Sequence, residues 1–318
     1  MASTAPPQNL PLSQAITIAA QAIGEVMSGR SLTHVLEELE PQERPIVQSI
    51  TFDTFRRWTR SHALIKEFVP KPPSKPVEHV LAVAITLLLD RTDVAKKGYA
   101  THTIVNESVS ACGQYDETIY AKGLMNAVLR KVSAALDAQG AKRPDHNSIG
   151  ESYFPPWWIA NLKKNYPKSW QSICLQQSQR PPLTLRVNRR AISLVDYAAV
   201  LQAAQIEAEP IEQAANTLLD AALVIKEPLP VASIPGFFDG LVSVQDAGAQ
   251  LAASLLRPMT GERVLDMCAA PGGKAAHLLE CADIDLVAID VDRERLKRCA
   301  RTKHRMHCRR CCVARLVG

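Results

Sequence analysis

Residues 264–274 read VLDMCAAPGGK, and residues 275–280, AAHLLE, carry them into a helical pattern. An apolar run short enough for a buried strand leads into a turn built on Gly272 and Gly273. Two adjacent glycines leave the backbone bare, so a ligand can come close to it. The helix that follows offers unpaired N–H groups and the positive end of its dipole to a carboxylate or phosphate. IDLVAID, residues 284–290, reads as the next strand and ends at Asp290, 17 residues after Gly273. A strand-end acid there resembles the carboxylate that holds ribose hydroxyls in dinucleotide folds, about 20 residues beyond the glycines. Turn and acid together imply a nucleoside-bearing cofactor.

Two common phosphate motifs do not account for the turn. Gly273 and Lys274 match the end of a Walker loop, but Cys268 stands where its first glycine belongs and Ala275 where its Mg²⁺-binding hydroxyl belongs. No G-x-G-x-x-G occurs. On spacing alone, the plain alternative is a structural glycine turn in an α/β domain.

Upstream, SVQDAGAQLAASLL reads as a helix capped by Asp246, with Leu251, Ala252 and Leu255 as its apolar face. Residues 150–240 read as a small α/β subdomain. PPLTLRVN alternates like a strand with Leu183, Leu185 and Val187 on one face, LVDYAAVLQAAQ follows as a helix, and AALVIKEP as a strand. The polar stretch GAKRPDHNSIGES, residues 140–152, reads as a linker. Residues 1–140 read as an all-α domain, helical from 12 to 135. Gly29 is the expected C-cap of its first helix, and VEHVLAVAITLLLD reads as a buried helix. Ile46, Ile50, Phe52 and Phe55 are expected to face inward, as are Ile119, Leu124, Val128 and Leu129.

Composition is that of an ordinary globular chain: 318 residues, 47% apolar, with no basic-then-apolar leader at the N-terminus. The longest apolar run, VLAVAITLLL at 80–89, is too short to span a bilayer, so the expectation is a cytoplasmic protein with no membrane contact. Its eight cysteines then read as thiols, ligands or catalysts rather than disulfides. The net charge of +5 is uneven: residues 291–318 carry +8 and the rest −3. A basic pI therefore says little about the body of the chain. Arg56, Arg57, Arg60, Lys122, Arg130 and Lys131 read either as an RNA-facing patch or as a solvated helix surface. Trp157, Trp158 and Trp170 read as packing residues in preference to base-stacking platforms.

DMCAAPGGKAAHLLE resembles the S-adenosylmethionine-binding motif of the RNA cytosine-C5 methyltransferases of the Nop2/Sun class. GFFDGLVSVQDAGAQL is similar to the segment preceding that motif. FPPWWIANLKKNYP and QRPPLTLRVNR are similar to the family's pre-catalytic subdomain. ETIYAKGLMNAVLRKV resembles the NusB-type RNA-binding domain of the bacterial Sun/Fmu (RsmB-type) branch, which methylates small-subunit (16S) ribosomal RNA. The likeness covers roughly residues 12–297. It implies a NusB-like helical domain followed by α/β structure and a Rossmann-like methyltransferase domain from residue 241, with S-adenosylmethionine as cofactor and ribosomal RNA as partner. No protein partner is evident. The resemblance places Cys268, Ala269, Ala270, Pro271, Gly272, Gly273 and Lys274 around methionine and adenosine, and Asp290 on the ribose.

In that family a cysteine thiolate adds to C6 of cytosine, from a Pro-Cys-Ser or Thr-Cys-Ser motif. Neither motif occurs here, and Cys268 reads as a small packing residue, so no catalytic residue is assigned. The expectation is a family methyltransferase inactive in this form. The rival reading is a non-catalytic RNA-binding or ribosome-assembly protein that uses only its helical domain.

The tail, residues 298–318, is rich in Arg, Cys and His. Cys308-x-x-Cys311 with Cys312, His304 and His307 has ligand-type spacing, but all fall in one short run, and no metal site is assigned. A basic nucleic-acid arm is the second reading. The expectation is a segment read in a shifted frame, offering no strand, after a helix beginning in VDRERLKR, so that the methyltransferase sheet is incomplete.

Overall fold

The computed structural model describes residues 10–90, 98–138, 153–214, 217–227, 229–305 and 311–315, with side chains to residue 299. The expected linker, 140–152, lies outside the described residues. The chain forms two compact units, Met1–Arg180 and Pro181–Gly318.

The first unit is helical: α1 (Leu12–Met27), α2 (Leu32–Glu37), α3 (Arg44–Arg56), α4 (Trp58–Phe68), α5 (Lys75–Asp90), α6 (Thr101–Cys112), α7 (Asp116–Ile119), α8 (Lys122–Ala138), α9 (Pro156–Asn165) and α10 (Trp170–Ser178). Its centre is α5, buried at every position from Val77 to Asp90. A helix with apolar residues on every side, as in Val80–Ile85 and Leu87–Leu89, is stable only inside a core. Against it lie Ile16, Ala19 and Ile23 of α1, Val47 and Ile50 of α3, and Met125, Val128 and Leu129 of α8. α1 ends in a Schellman motif: Arg30 N–H donates to Glu25 O and Gly29 N–H to Val26 O, both at 3.0 Å. Gly29 takes φ +103°, which a side chain would resist.

Two inward assignments fail. Phe52 is 41% exposed, with the Arg56 guanidinium over its ring. Thr51 and Thr54 take the inward positions because they satisfy their own hydroxyls on Val47 O and Ile50 O. Ile119 is also exposed, since the short α7 turns Thr118 inward to donate to Cys112 O at 2.9 Å.

The second unit begins with β1 (Leu183–Val187), α11 (Leu194–Ala203), β2 (Ala208–Pro210), β3 (Gln213–Ala214), β4 (Thr217–Leu218), β5 (Ala222–Ile225) and β6 (Val242–Val244). The four-stranded sheet runs β2-β5-β1-β6 with antiparallel neighbours, and β3 pairs with β4. β1–α11–β2 is thus a crossover with β5 inserted between its strands, a split βαβ unit. Leu185 and Val187 meet Tyr197 and Leu201 of α11 in the core.

α12 (Ala247–Leu256), β7 (Arg263–Asp266), α13 (Gly273–Cys281), β8 (Asp285–Asp290), α14 (Arg293–Arg305) and β9 (Cys311–Arg315) follow. Asp246 caps α12 as expected, accepting from Gly248 N–H at 2.8 Å. Its buried face is different: Gln250 and Ala253 point inward, while Ala252 and Leu255 are exposed. Gln250 wins that side because its amide donates to the carbonyls of Leu185 (3.3 Å) and Gln245 (3.1 Å). The tail expectation also needs correction. Cys311–Arg315 is a strand, paired in parallel with β8 from Leu286↔Cys311 to Asp290↔Arg315, in the order β7-β8-β9. CCVAR has little pattern of its own; a partner strand with free hydrogen-bonding groups decides its conformation.

Candidate functional site

β7 delivers the chain to the glycine turn, and β8 runs beside it in parallel, with Asp266 opposite Ala288. The turn is tied to β8 by two backbone donors: Ala269 N–H to Ile289 O and Ala270 N–H to Asp290 Oδ2, both at 3.0 Å. Asp290, only 4% exposed, accepts Asp292 N–H on Oδ1 at 3.0 Å. These donors, that from Asp292 foremost, outweigh burial and hold the Asp290 carboxyl below the usual carboxylate range; Arg295 adds to the effect. Arg295 also donates to Ala270 O at 2.9 Å. Asp290 therefore clamps the turn to the strand end.

Gly272 has φ +102° and caps α13 without a side chain. A Cβ built on Gly273 would meet nothing closer than Gln245 Nε2 at 3.9 Å, so the backbone there lies open. Ala269, Ala270 and Gly272 are buried, whereas Cys268, Pro271 and Lys274 are exposed. Cys268 is thus not the packing residue its small size suggested. Asp266, which the sequence reading passed over, accepts Cys268 N–H on Oδ1 at 3.3 Å and keeps its buried Oδ2 without a partner. Its signal in the sequence is position alone, the last residue of the strand before the turn.

A second feature escaped the sequence reading. Arg186 of β1 is completely buried and forks onto Glu280 of α13, Nε to Oε2 at 2.8 Å and Nη2 to Oε1 at 2.6 Å. Its Nη1 donates to Gly273 O at 2.8 Å and to Gln245 Oε1. His277, on the same helix, is pushed down to about 3 by burial and by Arg186, and its buried Nδ1 has no partner. A bidentate, fully desolvated guanidinium thus fixes the first residue of α13, where the glycine turn ends. The only clue in the sequence is an arginine inside an apolar strand.

The basic residues of the first unit divide. Arg57 pairs with Asp90 and Arg56 with Asp53, and Arg60 lies over the Tyr153 ring at 5.5 Å. Lys122, Arg130 and Lys131 are exposed. Among the tryptophans, Trp158 packs on Phe154 at 4.5 Å, and Trp170 lies under the Lys163 ammonium at 4.6 Å. Trp157 contradicts the packing reading: it is 66% exposed. Among the described residues no group of three or more His, Cys, Asp or Glu could hold a metal; the side chains of the whole Cys/His run, 304–312, lie outside them. No helix among the described residues is long and apolar enough to cross a membrane.

Three family models match the chain: the NusB family over residues 13–134, the ferredoxin-like domain of RsmF/B-like methyltransferases over 154–232, and the 16S rRNA methyltransferase RsmB/F over 253–316. The last match takes in β9. Ribosomal RNA small subunit methyltransferase B of Pseudomonas syringae pv. tomato is 36% identical over 88% of this chain and 62% of its own. The protein of the same name from Photorhabdus laumondii is 33% identical over 92% of this chain and 67% of its own. The chain thus spans somewhat under two thirds of the length of the first of these relatives and about two thirds of the second. The crystal structure of PH0851 shares the fold, with a TM-score of 0.69 over 100% of this chain and 70% of that one at 21% identity. The helical NusB-like part, the ferredoxin-like sheet and the glycine turn each have their counterpart, and the chain belongs to the Sun/RsmB-type family of ribosomal RNA methyltransferases.

Proposed function

We propose that this chain carries the S-adenosylmethionine site of an enzyme that methylates C5 of a cytosine in 16S ribosomal RNA, in the cytoplasm. The observation that carries this reading is the clamp of Asp290 on Ala270 N–H, which brings the strand-end acid beside the bare glycine turn. The residues present fit that cofactor. The N-terminus of α13, which has no side-chain cap, suits a carboxylate, the unpartnered Asp266 Oδ2 suits an ammonium, and Asp290 has lone pairs beyond its bonds to Ala270 and Asp292 N–H for ribose hydroxyls. Residues Cys268 to Lys274 would hold the methionine and adenosine. When bound, the cofactor supplies an electrophilic methyl group on a sulfonium. The chain's own part is to bind and orient: Arg186 and Asp290 fix the turn before any ligand arrives, so less ordering cost falls on binding.

Addition to cytosine needs a thiolate. Burial pushes the Cys112 thiol up to about 11 and raises Cys174. Cys281 is raised by burial and then by the charges of Glu280 and Asp220. Cys268 sits in the cofactor turn itself. No Pro-Cys-Ser or Thr-Cys-Ser motif occurs in the 318 residues, and we infer that these residues by themselves bind the cofactor without completing the transfer. The test has two arms. Incubation with labelled S-adenosylmethionine and unmodified small-subunit RNA should leave no 5-methylcytosine, and its appearance would refute the inactivity. Calorimetry should show cofactor binding that weakens about 10-fold or more in Asp290→Ala, as expected for a lost charge-assisted hydrogen bond. Equal affinity in wild type and variant would remove the proposed site.

A further inference from the structure

The segment 153–180 stands apart from the rest of the chain. It contains Lys163, Lys164, Lys168 and Arg180 and no Asp or Glu, although residues 1–290 together carry a net charge of −3. It also holds three of the four tryptophans. Helices α9 and α10 shape it. Ile159 turns inward, while Trp157, Ala160, Asn161 and Lys164 are all exposed. Their spacing of three, four and seven residues puts them on one face of α9, along about 10 Å of helix axis. Tyr166 (56% exposed) and Lys168 lie in the turn that follows and are exposed as well.

An indole left in water is costly unless something covers it, and a small neighbour such as Ala160 leaves its face open. The charge around it selects the partner. The carboxylates of an acidic protein surface would match the lysines, but they supply no ring face to the indole and the tyrosine. A single-stranded nucleic acid supplies both, phosphates for the lysines and base faces for the rings. Arg56 and Arg57, with their carboxylate neighbours Asp53 and Asp90, lack that character.

We propose that the α9 face of Trp157, Asn161 and Lys164, continued by Tyr166 and Lys168, is a docking surface for single-stranded RNA. The inference deepens the proposed function and rests on it for the choice of RNA over DNA. The surface lies within the first unit and uses none of the residues of the cofactor turn.

The experiment uses the 318-residue chain and a labelled 12-nucleotide single-stranded RNA of cytidine and uridine, followed by anisotropy over a range of KCl concentrations. Trp157→Ala should weaken binding about 5- to 150-fold, the loss expected for one stacked base, and Trp157→Phe should restore most of it. Lys164→Ala with Lys168→Ala should reduce the slope of log affinity against log salt by about 1.4, two phosphate contacts on a single strand. Unchanged melting curves keep these effects apart from misfolding. Affinity and slope that stay at wild-type values overturn the proposal, as does a wild-type chain that binds no RNA at any salt. A shift in sedimentation of Trp157→Ala without a change in RNA affinity also overturns it and marks a protein–protein face instead. The methyltransferase reading is tested separately by cofactor binding to Asp290→Ala, so either can fail alone.

Discussion

Around α5 the buried residues include Leu81, Val83, Ile85 and Leu88; around the glycine turn alanine supplies six of the twelve buried residues, among them Ala269, Ala270 and Ala275. A buried leucine or isoleucine contributes about 1.5–3 kcal/mol, and an alanine only a fraction of that. Small residues in the layer at the turn let the backbone come close to β8, where Ala269 N–H and Ala270 N–H donate to it. What small side chains give up there is offset by polar ties: the Arg186–Glu280 fork, the Arg186 bond to Gly273 O and the Asp290 clamp. The helical core is held by area removed from water, and the site by hydrogen bonds of defined geometry. The second mode gives rigidity at chosen atoms, which a binding site needs, and it fails more abruptly when one partner is removed.

The sharpest way to break this contrast is Arg186→Met. Glu280 would be left charged and nearly buried, at a cost of about 3–5 kcal/mol, whereas replacing both partners by apolar residues should recover much of it. Urea denaturation of the single and double variants measures both; a single variant costing under about 1 kcal/mol would show that the fork is not what secures α13.

In the helical core the corresponding test is Leu88→Ala, with an expected loss of about 2–5 kcal/mol from a fully buried position. A fragment of residues 1–140 should melt cooperatively with a helical circular dichroism spectrum, since α5 is enclosed by helices of the same segment. A non-cooperative signal would mean that this core depends on the rest of the chain.

Acid should separate the two regions next. His277 is neutral when folded, with its value pushed down to about 3 from 6.5, so the unfolded chain binds its proton first. Its contribution is fully present above pH 6.5 and is lost as pH falls toward 3, by up to about 1.4 kcal/mol per pH unit. The depressed Asp290 carboxyl adds a loss in the same direction at lower pH. His277→Leu should flatten the stability profile of the second unit between those limits; an unchanged profile would show that His277 does not cause the slope.

The smallest effects concern two of the glycines with positive φ, Gly29 and Gly272. Gly29→Ala meets no atom within 4 Å, so its cost of about 1 kcal/mol is conformational only. Gly272→Ala should cost a similar amount in thermal stability and in addition weaken cofactor binding, which calorimetry distinguishes. Equal cofactor affinity in Gly272→Ala and wild type would remove the ligand's claim on that turn.

Much of the framework was legible because its causes are local. Helical periodicity marked α1, α5 and α8, Gly29 marked the end of α1, and Asp246 marked the start of α12. The runs on either side of Gly272–Gly273 marked β7, α13 and β8 in order. Each depends on residues a few positions apart, which interact whatever the remainder of the chain does.

The sequence by itself therefore determined the helical first part, the strand–turn–helix–strand around the glycines and the family likeness. Tertiary structure alone decided the rest. Arg186 and Glu280 are 94 positions apart, and nothing local pairs an arginine in an apolar strand with a glutamate on a later helix. Gln250 turned inward, displacing Leu255, because two carbonyls needed a donor; Phe52 stayed outside because two threonines could satisfy themselves. β9 exists because β8 offers it a ladder. In each case the free energy of a buried polar group or an unpaired strand edge depends on a partner distant in sequence, and only the folded chain brings that partner within reach.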